Sequence, residues 1–168
     1  MGETTIPFLK EIGTFEIPVQ PEFITEKKFV VNTAKESKIK IFGLSLNIEK
    51  SFLPKNEEPV ASMKLRYAEL IRYKPDGPIM AELGDKKKIT LSQIFALMSR
   101  QPNGEEGVLL TDGRPNIFYV RDSKGGFCGV GVGWGDYYFD YDFCGWVVYA
   151  VLGDDVHRYR GGRVFSSV

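Results

Sequence analysis

The residues best suited to chemistry lie near the C-terminus, in Asp154-Asp155-Val156-His157-Arg158-Tyr159-Arg160, and His157 is the chain's one histidine. A histidine beside Asp154 or Asp155 has the parts of a general acid/base pair, because a carboxylate orients the imidazole and stabilises its charged form. Arg158, Arg160 and Arg163 add planar cations that fit a phosphate or carboxylate. One reading is therefore a small hydrolase or phosphate-handling enzyme built on His157, a neighbouring aspartate and the tail arginines. The other is a solvated turn of mixed charge. A lone histidine excludes zinc sites that need several. No serine sits in a G-x-S-x-G elbow. Cys128 or Cys144 could pair with His157 as a nucleophile, but Cys128 falls on an apolar strand face and reads as core.

A second set of candidates is aromatic. Ile117–Leu152 holds half of the chain's aromatic residues, among them Trp134, Tyr137, Tyr138, Tyr141, Trp146 and Tyr149. If Asp136–Trp146 is a loop, several of these rings face solvent, and a contiguous exposed aromatic patch marks a partner or ligand surface. If it is a hairpin tip, they fold back on the core. Tyrosines beside carboxylates also suit stacking on a sugar. The preceding run Phe127–Trp134 alternates Cys128, Val130, Val132 and Trp134 on one face with Gly129, Gly131 and Gly133 on the other. Glycine weakens a strand unless something needs the space. Either a neighbouring ring such as Tyr119 or Tyr149 lies across the bare backbone, or the glycines floor a shallow groove. The run lacks the spacing and following helix of a nucleotide loop. Asp136, Asp140 and Asp142 supply oxygen ligands, yet the glycine and distal glutamate of the helix-loop-helix calcium site are missing. No metal site and no cofactor are expected.

These groups must be positioned by a chain of 168 residues with 22 basic and 22 acidic side chains. That length is most simply one domain with a real core. Zero net charge argues against bulk attraction to nucleic acid or anionic membrane. No apolar run reaches the length of a membrane helix. The start Met-Gly-Glu-Thr-Thr lacks a basic segment followed by an apolar one, so a cytoplasmic location and reduced cysteines are expected.

The elements read as follows. Residues 14–60 are mainly extended, with strands at Thr14–Val19, Lys27–Thr33 and Lys38–Ile48. The alternation in the last changes phase next to Gly43, which predicts a β-bulge or bend. Val60–Tyr73 carries Val60, Met63, Tyr67, Leu70 and Ile71 at helical spacing behind Glu57 and Glu58, acids that suit a helix start. Met63, Leu65, Tyr67 and Ile71 also fit a strand, and the balance falls to helix. Ile79–Leu83 is a short helical turn ending at Gly84. Leu91–Gln101 is the strongest helix, with Thr90 and Gln93 as a capping box and a stripe of Leu91, Ile94, Phe95, Leu97 and Met98. From Gly107 the chain reads as a β-meander through Val108–Thr111, Asn116–Asp122, Phe127–Trp134, Trp146–Leu152 and Arg163–Phe165.

The phrases DGPIMAELGD, QPNGEEGVLLTDG, NIFYVRDSKG and GGRVFS occur in this order. Together they resemble a set of short, uncharacterised proteins predicted from bacterial genomes, over about residues 64–166. The resemblance implies a bacterial origin and transfers no residue role.

The expectation is therefore a single α+β domain, 1–168, dominated by antiparallel sheet. It has an extended part over about 14–60, a helical middle over 60–101 with one main helix on the sheet, and a meander over 107–166. Function is expected to be non-enzymatic binding through Trp134, Tyr137, Tyr138, Tyr141 and Trp146, with Arg158 and Arg160 as accessory cations. The partner is a protein or a second copy of the chain, with a small ligand or carbohydrate as the lesser option, and neither nucleic acid nor membrane.

Overall fold

The computed structural model describes residues 7–32, 34–135, 145–152, 157–158 and 160–168. The elements follow in the order β1 (Leu9–Ile17), β2 (Phe23–Ile24), α1 (Thr25–Lys28), β3 (Ile41–Leu44), α2 (Leu46–Ser51), β4 (Asn56–Glu57), β5 (Met63–Leu70), β6 (Lys74–Pro75), α3 (Asp76–Leu83), α4 (Leu91–Arg100), β7 (Asn116–Arg121), β8 (Phe127–Trp134), β9 (Trp146–Val151), β10 (His157–Arg158) and β11 (Arg163–Ser167). Seven strands form one sheet in the order β1-β5-β11-β7-β8-β9-β3, and β2–β4 and β6–β10 are two-stranded ribbons. The large sheet is mostly antiparallel. Among the described residues of this sheet, only the strand pairs β11–β7 and β3–β9 run parallel.

Each face of the sheet has its own core. One face presents Leu65, Phe118, Val120, Val130, Val132, Trp146, Val148 and Phe165, packed with Ile94, Leu97 and Met98 of α4. The other presents Leu70, Ile117, Tyr119 and Val164, packed with Ile79 of α3. A sheet covered on both sides explains why Met63–Leu70 is a strand where helical spacing predicted a helix. β5 lies between β1 and β11 and buries Leu65 on one face and Ala68 and Leu70 near the other. Apolar residues of both parities then mimic a helical period.

Other expected elements also change. Lys27–Thr33 is not a strand: Thr25–Lys28 is a helical turn that delivers buried Phe29 to the core. Lys38–Ile48 divides. The register shift between Ile41 and Gly43 is the irregularity expected beside Gly43. Ser45 then stops the strand by capping α2, its Oγ accepting from the Ile48 amide at 3.4 Å. Val108–Thr111 forms no strand, because side-chain amides take up its backbone. Gln101 pairs with the Leu109 N–H and C=O at 2.9 and 3.0 Å, and Asn116 pairs with those of Leu110 at 2.8 and 3.0 Å. β7, β8 and β9 are consecutive antiparallel neighbours, but β11 crosses back to lie between β5 and β7.

α4 begins as its sequence requires, with both hydrogen bonds of the Thr90/Gln93 capping box formed. Phe95 departs from the expected stripe. It is half-buried and meets Phe23 and Phe29, each ring 5.7 Å away, whereas Ile94 is fully buried. Phe95→Ala is accordingly expected to cost about 2 kcal/mol, below the range for a buried phenylalanine, and less than Ile94→Ala. Urea denaturation of the two variants checks the order.

Candidate functional site

Arg158, nominated as a ligand-binding cation, is only 5% exposed. The β6–β10 ribbon sets it there, pairing Arg158 with Lys74 and His157 with Pro75. The next residue, Asp76, opens α3. Its carboxylate receives Arg158 Nε at 2.8 Å and Nη2 at 2.9 Å, a bidentate fork, and the Tyr119 hydroxyl donates to Oδ1 at 2.7 Å. Burial works against the Arg158 charge, but the Asp76 hydrogen bonds and charge outweigh it and hold its pKa above the usual value. Burial drives the Tyr119 phenol strongly upward, and the Asp76 charge adds to this. Asp76 thus already occupies the Nε–Nη2 fork of the guanidinium. Arg163 is likewise committed, donating to the Gly107 and Val108 carbonyls, while Arg160 is exposed. Asp154 and Asp155 lie outside the described residues. The carboxylate that engages the tail is Asp76, which sequence reasoning missed because it is remote in the chain. Cys144 is also outside the described residues. Buried Cys128 places its Sγ 3.7 Å from Asp122 Oδ2.

The same cluster explains part of the glycine ladder. A Cβ at Gly129 would fall 2.3 Å from Arg158 Nη2 and 2.7 Å from Asp76 Oδ2. A Cβ at Gly131 would fall 2.1 Å from the Tyr149 ring. Both glycines are filled from above, by an ion pair and by a phenol. Gly129→Ala must push the fork apart and is expected to cost about 1–3 kcal/mol in thermal or urea denaturation.

Gly133 differs from its two neighbours in the ladder. It pairs with Val147, which pairs in turn with Gly43 on β3. No described atom beyond the chain neighbours lies within 4 Å of where a Cβ would sit on either Gly43 or Gly133. The three residues form a cross-strand row on the face opposite Trp146 and Val148. Glycine on both sides of a single valine leaves nearly bare, half-buried backbone across β8, β9 and β3. Beside the row, the Gly135 amide donates to the Gly145 carbonyl at 3.3 Å. Phe42, at 36% exposure, stands against Gly145.

The nominated aromatics separate. Tyr137, Tyr138 and Tyr141 lie outside the described residues. Trp146 is a correction: it is 0% exposed and part of the core, with Nε1 donating to the Gln101 carbonyl at 3.0 Å. Trp134 is half-buried, edge-on to Trp146 at 5.2 Å, and lies against Gly104, whose φ of +73° and contact with the indole both exclude a side chain. Alternation places both tryptophans on the core face, and the loop after α4 closes over them.

One further feature was hidden in the sequence. Glu57, an acid that suited a helix start, does cap a helix, but the helix is α4. Its two carboxylate oxygens accept from the Leu91 and Ser92 amides at 2.9 and 2.8 Å, and Lys55 lies 3.2 Å away. The helix dipole favours a negative group there. Among the described residues no cluster of histidine, cysteine, aspartate and glutamate could hold a metal ion, and no helix is long and apolar enough to cross a membrane. No protein-family model, curated protein or solved structure matches the chain.

Proposed function

We propose that the protein is a non-enzymatic binding protein that recognises another protein through the end of the sheet formed by Gly133, Val147 and Gly43. In the sequence this row is followed by residues 136–144, which carry Tyr137, Tyr138 and Tyr141. The observation that carries the reading is the cross-strand row of bare backbone. Filled positions of the glycine ladder serve packing, and Gly133 is the position whose openness packing does not account for. A flat shelf suits an area of contact with a protein better than the enclosed, concave site that small ligands prefer. Tyrosine, enriched at protein interfaces, occurs three times in residues 136–144. Against the competing hydrolytic reading stands the pairing of Arg158, one of its three arginines, with Asp76.

The test places a photo-crosslinking amino acid at position 147 and, as a control, at position 124 on the exposed turn after β7. The expected result is a defined protein adduct from position 147, none from 124, and loss of the adduct in Gly43→Arg and Gly133→Arg variants that retain the wild-type circular dichroism spectrum. Equal adducts from both positions, or adducts that survive folded arginine variants, would remove the proposal. An adduct of twice the chain mass, with concentration-dependent light scattering, identifies the partner as a second copy.

A further inference from the structure

We infer that the cleft between Lys28, Val30 and residues 37–39 on one side and Phe95 and Ser99 of α4 on the other binds a small organic anion with an apolar body, of the aryl or acyl carboxylate class. None of its lining residues belongs to the shelf, so this site is independent of the function proposed above.

The cleft has a volume of about 370 Å³, within the usual span of small-ligand sites, about 300–1,000 Å³. Its apolar part is Ile41, Ile39 and Phe95, with Val30 at the side. Ile41 is a fully buried core residue, so this floor is held rigid by the sheet behind it. Among the described residues its charged groups are Lys28 and Lys38, and no carboxylate lines it. This one-signed lining sets it apart from the groove between β5 and α3, where Arg66 and Lys86 face Glu11, Glu82 and Asp85, and from the cleft at Glu57, where acids and bases alternate.

Neither Lys28 nor Lys38 makes an ion pair among the described residues. Lys28 Nζ stands 5.8 Å from the Phe95 ring centroid, which puts a cation directly above an aromatic floor. Asn32 accepts from the Ala34 amide through Oδ1 at 3.0 Å, leaving its Nδ2 donors for another acceptor. Ser37 and Ser99 donate to the Ile39 and Phe95 carbonyls at 2.8 and 2.7 Å, so their hydroxyl protons are used. The Ser37 and Ser99 oxygens remain acceptors, and the open donors at the rim of the apolar floor are Lys28, Lys38 and the Asn32 amide. A ligand whose ring or chain lies on Phe95, Ile39 and Ile41, with its carboxylate between the two lysines, matches both parts. A bare phosphate would leave the floor unused, and a neutral hydrocarbon would leave the lysines unused.

The probe is 1-naphthoate, titrated by calorimetry and by NMR amide shifts at low salt. The expected result is saturable binding with shifts in residues 30–41 and 95–99. Lys28→Glu/Lys38→Glu, two exposed changes that leave the core untouched, is expected to weaken binding by about tenfold or more. Ser99→Trp, which fills the cleft, is expected to abolish it. The neutral analogue 1-naphthalenemethanol is expected to bind more weakly than naphthoate. No binding to the wild-type protein, equal binding to the charge-reversed variant, or equal binding of the alcohol would each overturn the inference. None of these outcomes bears on crosslinking from position 147, so the two proposals fail separately.

Discussion

An Asp76→Ala variant is expected to lose about 3–5 kcal/mol of stability, measured by urea denaturation. The cost comes from what remains. Arg158 would keep its charge at 5% exposure with no counterion, and the Tyr119 hydroxyl, within a fully buried residue, would lose its acceptor. α3 would also lose the acid in its first turn. The pair itself is a poor source of net stability, because desolvating two charges costs about as much as their attraction returns. Asp76→Leu combined with Arg158→Met should therefore recover much of the loss. Full recovery would assign the pair to positioning the β6–β10 ribbon over Gly129. A double variant as unstable as the single one would show that the bidentate geometry is itself stabilising. A single-variant cost under about 1 kcal/mol would contradict the buried-charge account.

Trp146→Ala is expected to cost about 3–5 kcal/mol. The indole is wholly enclosed and sits where three parts of the structure meet. It pairs with Ile41 on β3 and Trp134 on β8 and binds the Gln101 carbonyl at the end of α4. Removing it leaves Trp134 without its edge-on neighbour, so Trp134 fluorescence should shift to the red in the folded variant. Trp146→Phe separates volume from the hydrogen bond. The Gln101 carbonyl also accepts from the Gly104 amide at 3.1 Å, so it keeps one partner and the cost should be near 1 kcal/mol. Unchanged stability in Trp146→Ala would mean the ring is not core and would return it to the set of surface candidates.

The two tryptophans illustrate how far local pattern reaches. Alternation along Phe127–Trp134 places Trp134 on the same face as Val130 and Val132, and the structure keeps it there. Whether that face was sealed depended on Gln101–Leu110, a loop whose path is set by side-chain amides bonding backbone. Among the described residues of this stretch, Phe118, Tyr119 and Trp146 are buried and Phe127, Trp134 and Tyr149 half-buried, a division that no spacing rule makes. The glycine ladder behaved in the same way. Its one-sidedness is evident from period 2, and the expected ring across the backbone occurs at Gly131 under Tyr149. The filler at Gly129 is an ion pair assembled from residues 82 apart. The openness at Gly133 follows from its neighbour across β9 being another glycine, Gly43, on a strand that pairs with β9 in parallel.

The identity of α4, its start at Thr90 and its apolar stripe are written within about ten residues, because caps and helical periodicity are local interactions. So is the strand character of β7, β8 and β9. Pairing across the fold is not local. Glu57 has the chemistry of a helix cap, but it serves a helix 34 residues onward. Arg158 has the chemistry of an anion receptor, but folding supplies Asp76 as the anion. A residue's type sets what it can bond. Which group fills that bond, and whether it is left facing water, depends on chain closure and burial, which only the packed sheet settles.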